Sequence, residues 1–169
     1  MILVTGFGPF PSVADNPTAR LARAVDGWRI SGETIVGRVL DVSYERGPAE
    51  AIAVARLLQP RLVIGLGVSN ASVGVRVESR AVAACVGADV DGLTPAANGD
   101  VASVNATADV TALARALGAE TSADAGQYVC NAWLYRVVLA LPDTPVGFVH
   151  VPAAGLDPEH LLNGIAALL

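Results

Sequence analysis

Five short apolar runs alternate with helix-forming segments along this chain, and that alternation limits the possible folds more than any other feature. Ile2 to Thr5, Glu33 to Val42, Arg61 to Val68, Val73 to Val86 and Val146 to Val151 are β-branched or near-continuously apolar. Runs of that kind suit strands buried on both faces. Between them, Asn16-Pro17-Thr18 is a helix start, with Asn16 as N-cap and Pro17 at the first helical position. Gly47-Pro48 opens a helix over Ala49 to Gln59, which Pro60 closes. Thr107 to Leu117 ends at Gly118, as a helix C-terminus should. Asp124 to Leu141 precedes Pro142, and Asp157-Pro158 opens a last helix reaching Leu169. Strands interleaved with helices predict an α/β domain built in layers. Residues Ala88 to Ala106, rich in Asp, Gly and Asn, show the least pattern and read as a long surface loop or lid.

Composition narrows the function classes. The 169 residues are enough for one domain with a sizeable core. No apolar run approaches the roughly 20 residues that span a bilayer, so no membrane partner is expected. A net charge of -5 and the lack of a basic run argue against a nucleic-acid partner. The first residues read as a core strand rather than a signal peptide, and two cysteines in unlike settings form no disulfide framework. A cytoplasmic protein with reduced thiols is expected.

Few residues could carry chemistry. Of the two histidines, His160 sits at the start of the last helix and reads as surface. His150 sits near the C-terminal end of a buried strand, the sheet edge where open α/β folds bind ligands. A hydrogen-bonded core histidine is the alternative there. Cys85, in the apolar run Ala81 to Val86, reads as inert packing. Cys130 falls in the first turns of a helix, where the dipole and unpaired amides favour a thiolate and could bind an oxyanion. A small buried side chain is the alternative. A Cys–His pair needs a third group to orient the imidazole, and Glu78 is the candidate, although it could equally share an exposed strand face with Arg76. No ligand spacing points to a metal site. "VTGFGPF" (4 to 10) has the glycines of a phosphate loop, but Pro9 lacks an N–H and no Lys follows. Two of the three phenylalanines, Phe7 and Phe10, stand in that turn and need something to cover.

Four stretches in order, "VTGFGPF…NPT" (4 to 18), "GLGVS…VRVE" (65 to 78), "SADAGQYVCNAWLY" (122 to 135) and "GFVHVP" (147 to 152), resemble the motifs of pyroglutamyl peptidase I, the pyrrolidone-carboxylate peptidase family of cysteine peptidases. The resemblance implies a single three-layer α/β domain over residues 1–169, with a mixed, mostly parallel twisted sheet between helices. It also implies removal of an N-terminal pyroglutamyl residue from peptides, without metal or organic cofactor, by a homo-oligomer (tetramer or dimer). Carried over by motif, Cys130 is the nucleophile, His150 the general base and then acid, and Glu78 the third member of the triad. Phe7 and Phe10 would flank the pyroglutamyl ring, Asn16 would fix the active-site loop, and Val68, Tyr128 and Val129 would line the pocket. The chain departs from the family at Val68 to Ser72, where many bacterial members carry Gln-Ala-Gly-Gly-Arg, at Ser79, usually basic, and at Ala83, commonly Asn. The segment between Glu78 and Cys130 is short for the family. A relative that binds pyroglutamate or peptide N-termini as a sensor or scaffold is the competing expectation.

Overall fold

The first strand, β1 (Ile2–Phe7), is buried at each of its six residues, as a strand covered on both faces must be. In the computed structural model, which describes residues 1–69 and 74–169, it leads into α1 (Pro17–Val25), β2 (Arg29–Ile30), β3 (Glu33–Leu40), α2 (Arg46–Leu58) and β4 (Leu62–Ser69). Then follow β5 (Arg76–Glu78), β6 (Arg80–Val82), β7 (Ser103–Asn105), α3 (Val110–Ala116), β8 (Glu120–Ser122), α4 (Val129–Ala140), β9 (Val146–Pro152) and α5 (Pro158–Ala166). Among the described residues, seven strands form one twisted sheet in the order β2-β3-β1-β4-β9-β5-β8. Four of its pairings are parallel; β2 with β3 and β5 with β9 are antiparallel. None of the described helices is long and apolar enough to cross a membrane.

Alternation along the strands sorts the core into two layers. Leu3, Phe7, Val63, Val146 and Phe148 face α2 and α4. Ile2, Val4, Ile64, Leu66, Val149 and Val151 face α1, α3 and α5. The strands β1, β4 and β9 therefore feed both cores, which is why their sequences are mostly apolar. Glycine marks the places where a helix lies too close for a side chain. A Cβ on Gly6 would stand 2.1 Å from the Thr18 carbonyl oxygen at the start of α1.

Several expectations need correction. The run Val73 to Val86 is not one strand. Its described part breaks at Ser79, whose N–H donates to the Ser122 carbonyl (2.6 Å) and whose carbonyl accepts from Ala106 N–H (3.0 Å). Those bonds leave β5 in the main sheet and turn β6 into a separate hairpin with β7. Cys85 then lies beyond any strand, half-buried against α4's core.

The helix expected from Asp124 begins only at Val129. Gly126 has φ +77, and Ser122 and Asp124 use their side chains to close a turn (Asp124 N–H to Ser122 Oγ, Gly126 N–H to Asp124 Oδ1). Residues 88–106 are the long, mostly exposed loop expected, ending in β7 and tied to the body of the fold. The buried Asp89 accepts backbone N–H bonds from Tyr44, Asp91 and Leu93, and Val101 N–H donates to the Tyr135 hydroxyl. His160 is half-buried rather than exposed, and its N–H caps α5 on Asp157 Oδ1.

Candidate active site

The sheet brings three distant segments together on the face covered by α4. β4 and β9 run parallel with Gly67 level with His150, and β5 runs antiparallel on the other side of β9 with Arg76 opposite His150. Glu78, two residues on from Arg76, is on the same face. Its Oε1 takes a hydrogen bond from His150 Nδ1 at 2.7 Å. Glu78 is fully buried and His150 is 5% exposed, so this is a charge-assisted bond away from water. The carboxylate fixes the proton on Nδ1, and the imidazole's bond to Cys130 falls to Nε2. Phe148, edge-on to the imidazole at 5.1 Å, braces the ring from the same strand.

Cys130 is the second residue of α4, with Tyr128 as an extended N-cap. Its Sγ hangs over Gly67, where a Cβ would approach it to 2.6 Å. The late start of α4 puts the thiol nearer the helix N-terminus than the sequence implied. An anion at Sγ meets the positive end of the dipole and amides that lack intrahelical acceptors. The next residue anchors the helix. Asn131, fully buried, accepts from Val82 N–H (2.8 Å) and donates to the Val82 carbonyl (2.9 Å), tying α4 to β6.

The electrostatics agree with the geometry. Burial alone would pull His150 down from its ordinary 6.5, but its hydrogen bonds to Cys130 and Glu78, and their charges, outweigh that and push it up to about 9. At neutral pH the ring is an imidazolium between two acceptors. Burial pushes the Cys85 thiol up, with Arg136 acting against it and Glu45 with it. That leaves Cys85 the poorer nucleophile.

Beside the thiol is a cavity of about 50 Å³ lined by Phe7, Phe10, Asn16, Val42, Val68, Tyr128, Val129 and Cys130. That is room for a handful of water-sized groups. The turn after β1 builds one wall. Phe7 N–H donates to Thr18 Oγ1 (2.9 Å), Asn16 Nδ2 donates to the Gly8 carbonyl (3.0 Å), and Asn16 Oδ1 caps Thr18 N–H (3.0 Å). Phe10 and Val13 close the loop with a reciprocal pair of backbone bonds. Phe7 belongs to the core as well as to the wall, at 3% exposed, whereas Phe10 is half-buried and lies 6.5 Å from the Tyr128 ring. The lining holds no Asp, Glu, Lys or Arg. Seven of the nine candidate residues line this cavity, and the other two, Glu78 and His150, pair with each other behind Cys130. Val42, Gly67, Thr18 and Arg76 join them without having been singled out. Only Gly65 and Gly67, two glycines in an otherwise apolar strand, gave a signal that could have been read. Asn70, Ala71 and Ser72, part of the departure from the family motif, lie outside the described residues.

The family profile described as pyroglutamyl peptidase matches residues 1–163. The chain belongs to this family. It is 34% identical over 170 residues to the pyrrolidone-carboxylate peptidase of Mycobacterium marinum, covering 89% of this chain and 76% of that protein. It is 30% identical over 177 residues to the enzyme of that name from Thermococcus litoralis, covering 96% and 79%. The solved structure of the pyrrolidone carboxyl peptidase from Thermococcus litoralis superposes with a TM-score of 0.87 at 26% identity, over 99% of this chain and 90% of that one. The family's layered α/β fold and its cysteine-peptidase class therefore apply to this chain, as the resemblance implied.

Proposed function

We propose that this chain removes an N-terminal pyroglutamyl residue from peptides, with Cys130 as nucleophile, His150 as general base and acid, and Glu78 as the group that orients and charges His150. The observation that carries this is the hydrogen-bonded Glu78–His150 pair meeting Cys130 at the head of α4, beside a cavity lined by no Asp, Glu, Lys or Arg.

The thiolate of Cys130 attacks the carbonyl that joins pyroglutamate to the next residue. Amides in the first turn of α4 receive the oxyanion. His150 passes its proton to the leaving amine as the C–N bond breaks, leaving a pyroglutamyl thioester. Water then attacks the thioester, giving its proton to His150 Nε2, and pyroglutamate departs. Phe7, Phe10, Val68, Tyr128 and Val129 supply apolar walls for a flat neutral lactam, and Asn16 holds the loop that carries two of them. The same walls exclude ordinary peptides, because a free N-terminal ammonium would be buried there without a counter-charge.

The homo-oligomer implied by the family resemblance has an apolar face available at Leu57 on α2 and Leu139 on α4, 83% and 50% exposed. Light scattering of the purified protein reads this directly. The function is tested by hydrolysis of pyroglutamyl-aminomethylcoumarin beside the alanyl, leucyl and prolyl analogues. Turnover of the pyroglutamyl compound alone is expected. Binding of pyroglutamate without turnover by freshly reduced protein would reject the peptidase reading.

A further inference from the structure

A fully buried carboxylate is costly to keep ionised, and Glu78 is at 0% exposure. Its Oε1 faces two cations. His150 Nδ1 is at 2.7 Å and Arg76 Nε at 3.8 Å. Arg76 stands opposite His150 across the β5–β9 pairing, and its side chain crosses β9 to bring Nη2 within 3.4 Å of Ser69 Oγ on β4. The other groups around the triad are Cys130 and Tyr128 from α4, Ser122 level with Glu78 on β8, and the exposed Glu120 level with Arg76 on the same strand. Arg76 is the cation other than His150 that the described residues place on this carboxylate.

Charge counting shows what it is for. With Cys130 as the thiolate that the peptidase reading requires, thiolate, imidazolium and carboxylate together carry one net negative charge. After His150 has given its proton to the leaving amine, the acylated sulfur and the imidazole are neutral, and the carboxylate alone carries that same charge. A partner whose own charge never changes can balance both states, and a guanidinium keeps its proton at any working pH.

We propose that Arg76 is the fixed counter-charge of the Glu78–His150–Cys130 group, a positioning residue that keeps Glu78 ionised through the whole reaction cycle. This rests on the peptidase reading above for its effect on turnover, but not for its effect on His150. Sharing Oε1 with Arg76 also loosens the hold of Glu78 on the imidazolium proton, so that the proton is released more readily to the leaving group. The role would be particular to this chain's β5, since Arg76 sits two residues before Glu78, whereas the basic residue usual in the family follows it.

The test compares Arg76→Met and Arg76→Gln with Arg76→Lys, and uses Arg80→Met, an exposed arginine on β6, as control. A like charge nearby disfavours the charged form of an imidazole, and Arg76 faces His150 across the β5–β9 pairing. In the two neutral variants the His150 midpoint, followed by NMR of the unliganded enzyme, should rise by about one unit, a tenfold change. The alkaline limb of the pH–rate profile should rise with it, and kcat should fall about tenfold with KM within about twofold. Arg76→Lys should recover most of the loss, and Arg80→Met should change nothing. An unmoved His150 midpoint in both neutral variants, or an equal shift in Arg80→Met, overturns the proposal. If the wild type proves inactive, the peptidase reading falls while the midpoint still decides the role of Arg76.

Discussion

Gly67→Ala should disable the enzyme by displacing its nucleophile while leaving every group that does chemistry in place in the sequence. A Cβ on Gly67 would lie 2.6 Å from Cys130 Sγ and 2.9 Å from two carbons of the Phe148 ring. Ordinary contact begins near 3.4 Å, so the sulfur must retreat by about 0.8 Å, the difference between 3.4 and 2.6 Å, or α4 must lift. α4 is tied to β6 through Asn131 and to the core through Trp133, so the thiol is the part that yields. Overpacking of this kind costs about 1–3 kcal/mol of stability. A misplacement on the order of 1 Å costs about 10²-fold in rate.

The comparison variant is Gly65→Ala, whose Cβ would meet Phe148 and Trp133 ring atoms at 2.5 Å, with no Cys130 atom among its nearest neighbours. Both variants should lose a similar amount of thermal stability. Measured with pyroglutamyl-aminomethylcoumarin at a temperature where both are folded, Gly67→Ala should lose about 10²-fold in kcat/KM and Gly65→Ala far less. If Gly67→Ala kept activity within threefold of wild type, or if the two variants lost activity equally, the placement of Sγ over β4 would be wrong.

The alkaline limb of kcat/KM should fall with an apparent pKa of about 9, because His150 is charged below that value and above it has no proton for the leaving amine. Cys130→Ala should lower the His150 midpoint seen by NMR, since the bond to Cys130 is the first of the influences that hold the proton there. Phe10→Ala should raise KM about tenfold, equivalent to about 1.4 kcal/mol, with little change in thermal stability because the ring is half-buried. Phe7 is unsuited to that comparison, since it is 3% exposed in the core and truncating it costs about 3–5 kcal/mol in folding. Cys85→Ala should keep most activity, and iodoacetamide should label Cys130 before Cys85, whose thiol is raised by burial.

The elements with local signals were legible. Asn16-Pro17 does cap and open α1, with Asn16 Oδ1 on Thr18 N–H. Asp157-Pro158 opens α5, with Asp157 Oδ1 on two backbone amides. β1, β4 and β9 read correctly because burial on both faces keeps their sequences mostly apolar. The break at Ser79 was not legible, because the bonds that make it come from Ser122 and Ala106, distant in sequence. The start of α4 was misplaced because Ser122-Ala-Asp124 has a cap's composition, and only the positive φ of Gly126 shows that the chain is still turning.

The candidate site divides in the same way. His150 and Cys130 stood out by position, near a strand end and a helix start. Glu78 could not be separated from a surface charge until the antiparallel β5–β9 register placed it against His150. Arg76 and Gly67 matter through that same cross-strand register, which nothing local encodes.

The proposed reaction turns on a covalent intermediate on Cys130. Mixing reduced enzyme with pyroglutamyl-aminomethylcoumarin, quenching in acid during turnover and mapping the mass of each peptide tests it most directly. A pyroglutamyl thioester is expected on the peptide containing Cys130, absent from Cys130→Ala, which should not turn over. Hydrolysis by Cys130→Ala, or an adduct found on Cys85 instead, would contradict it.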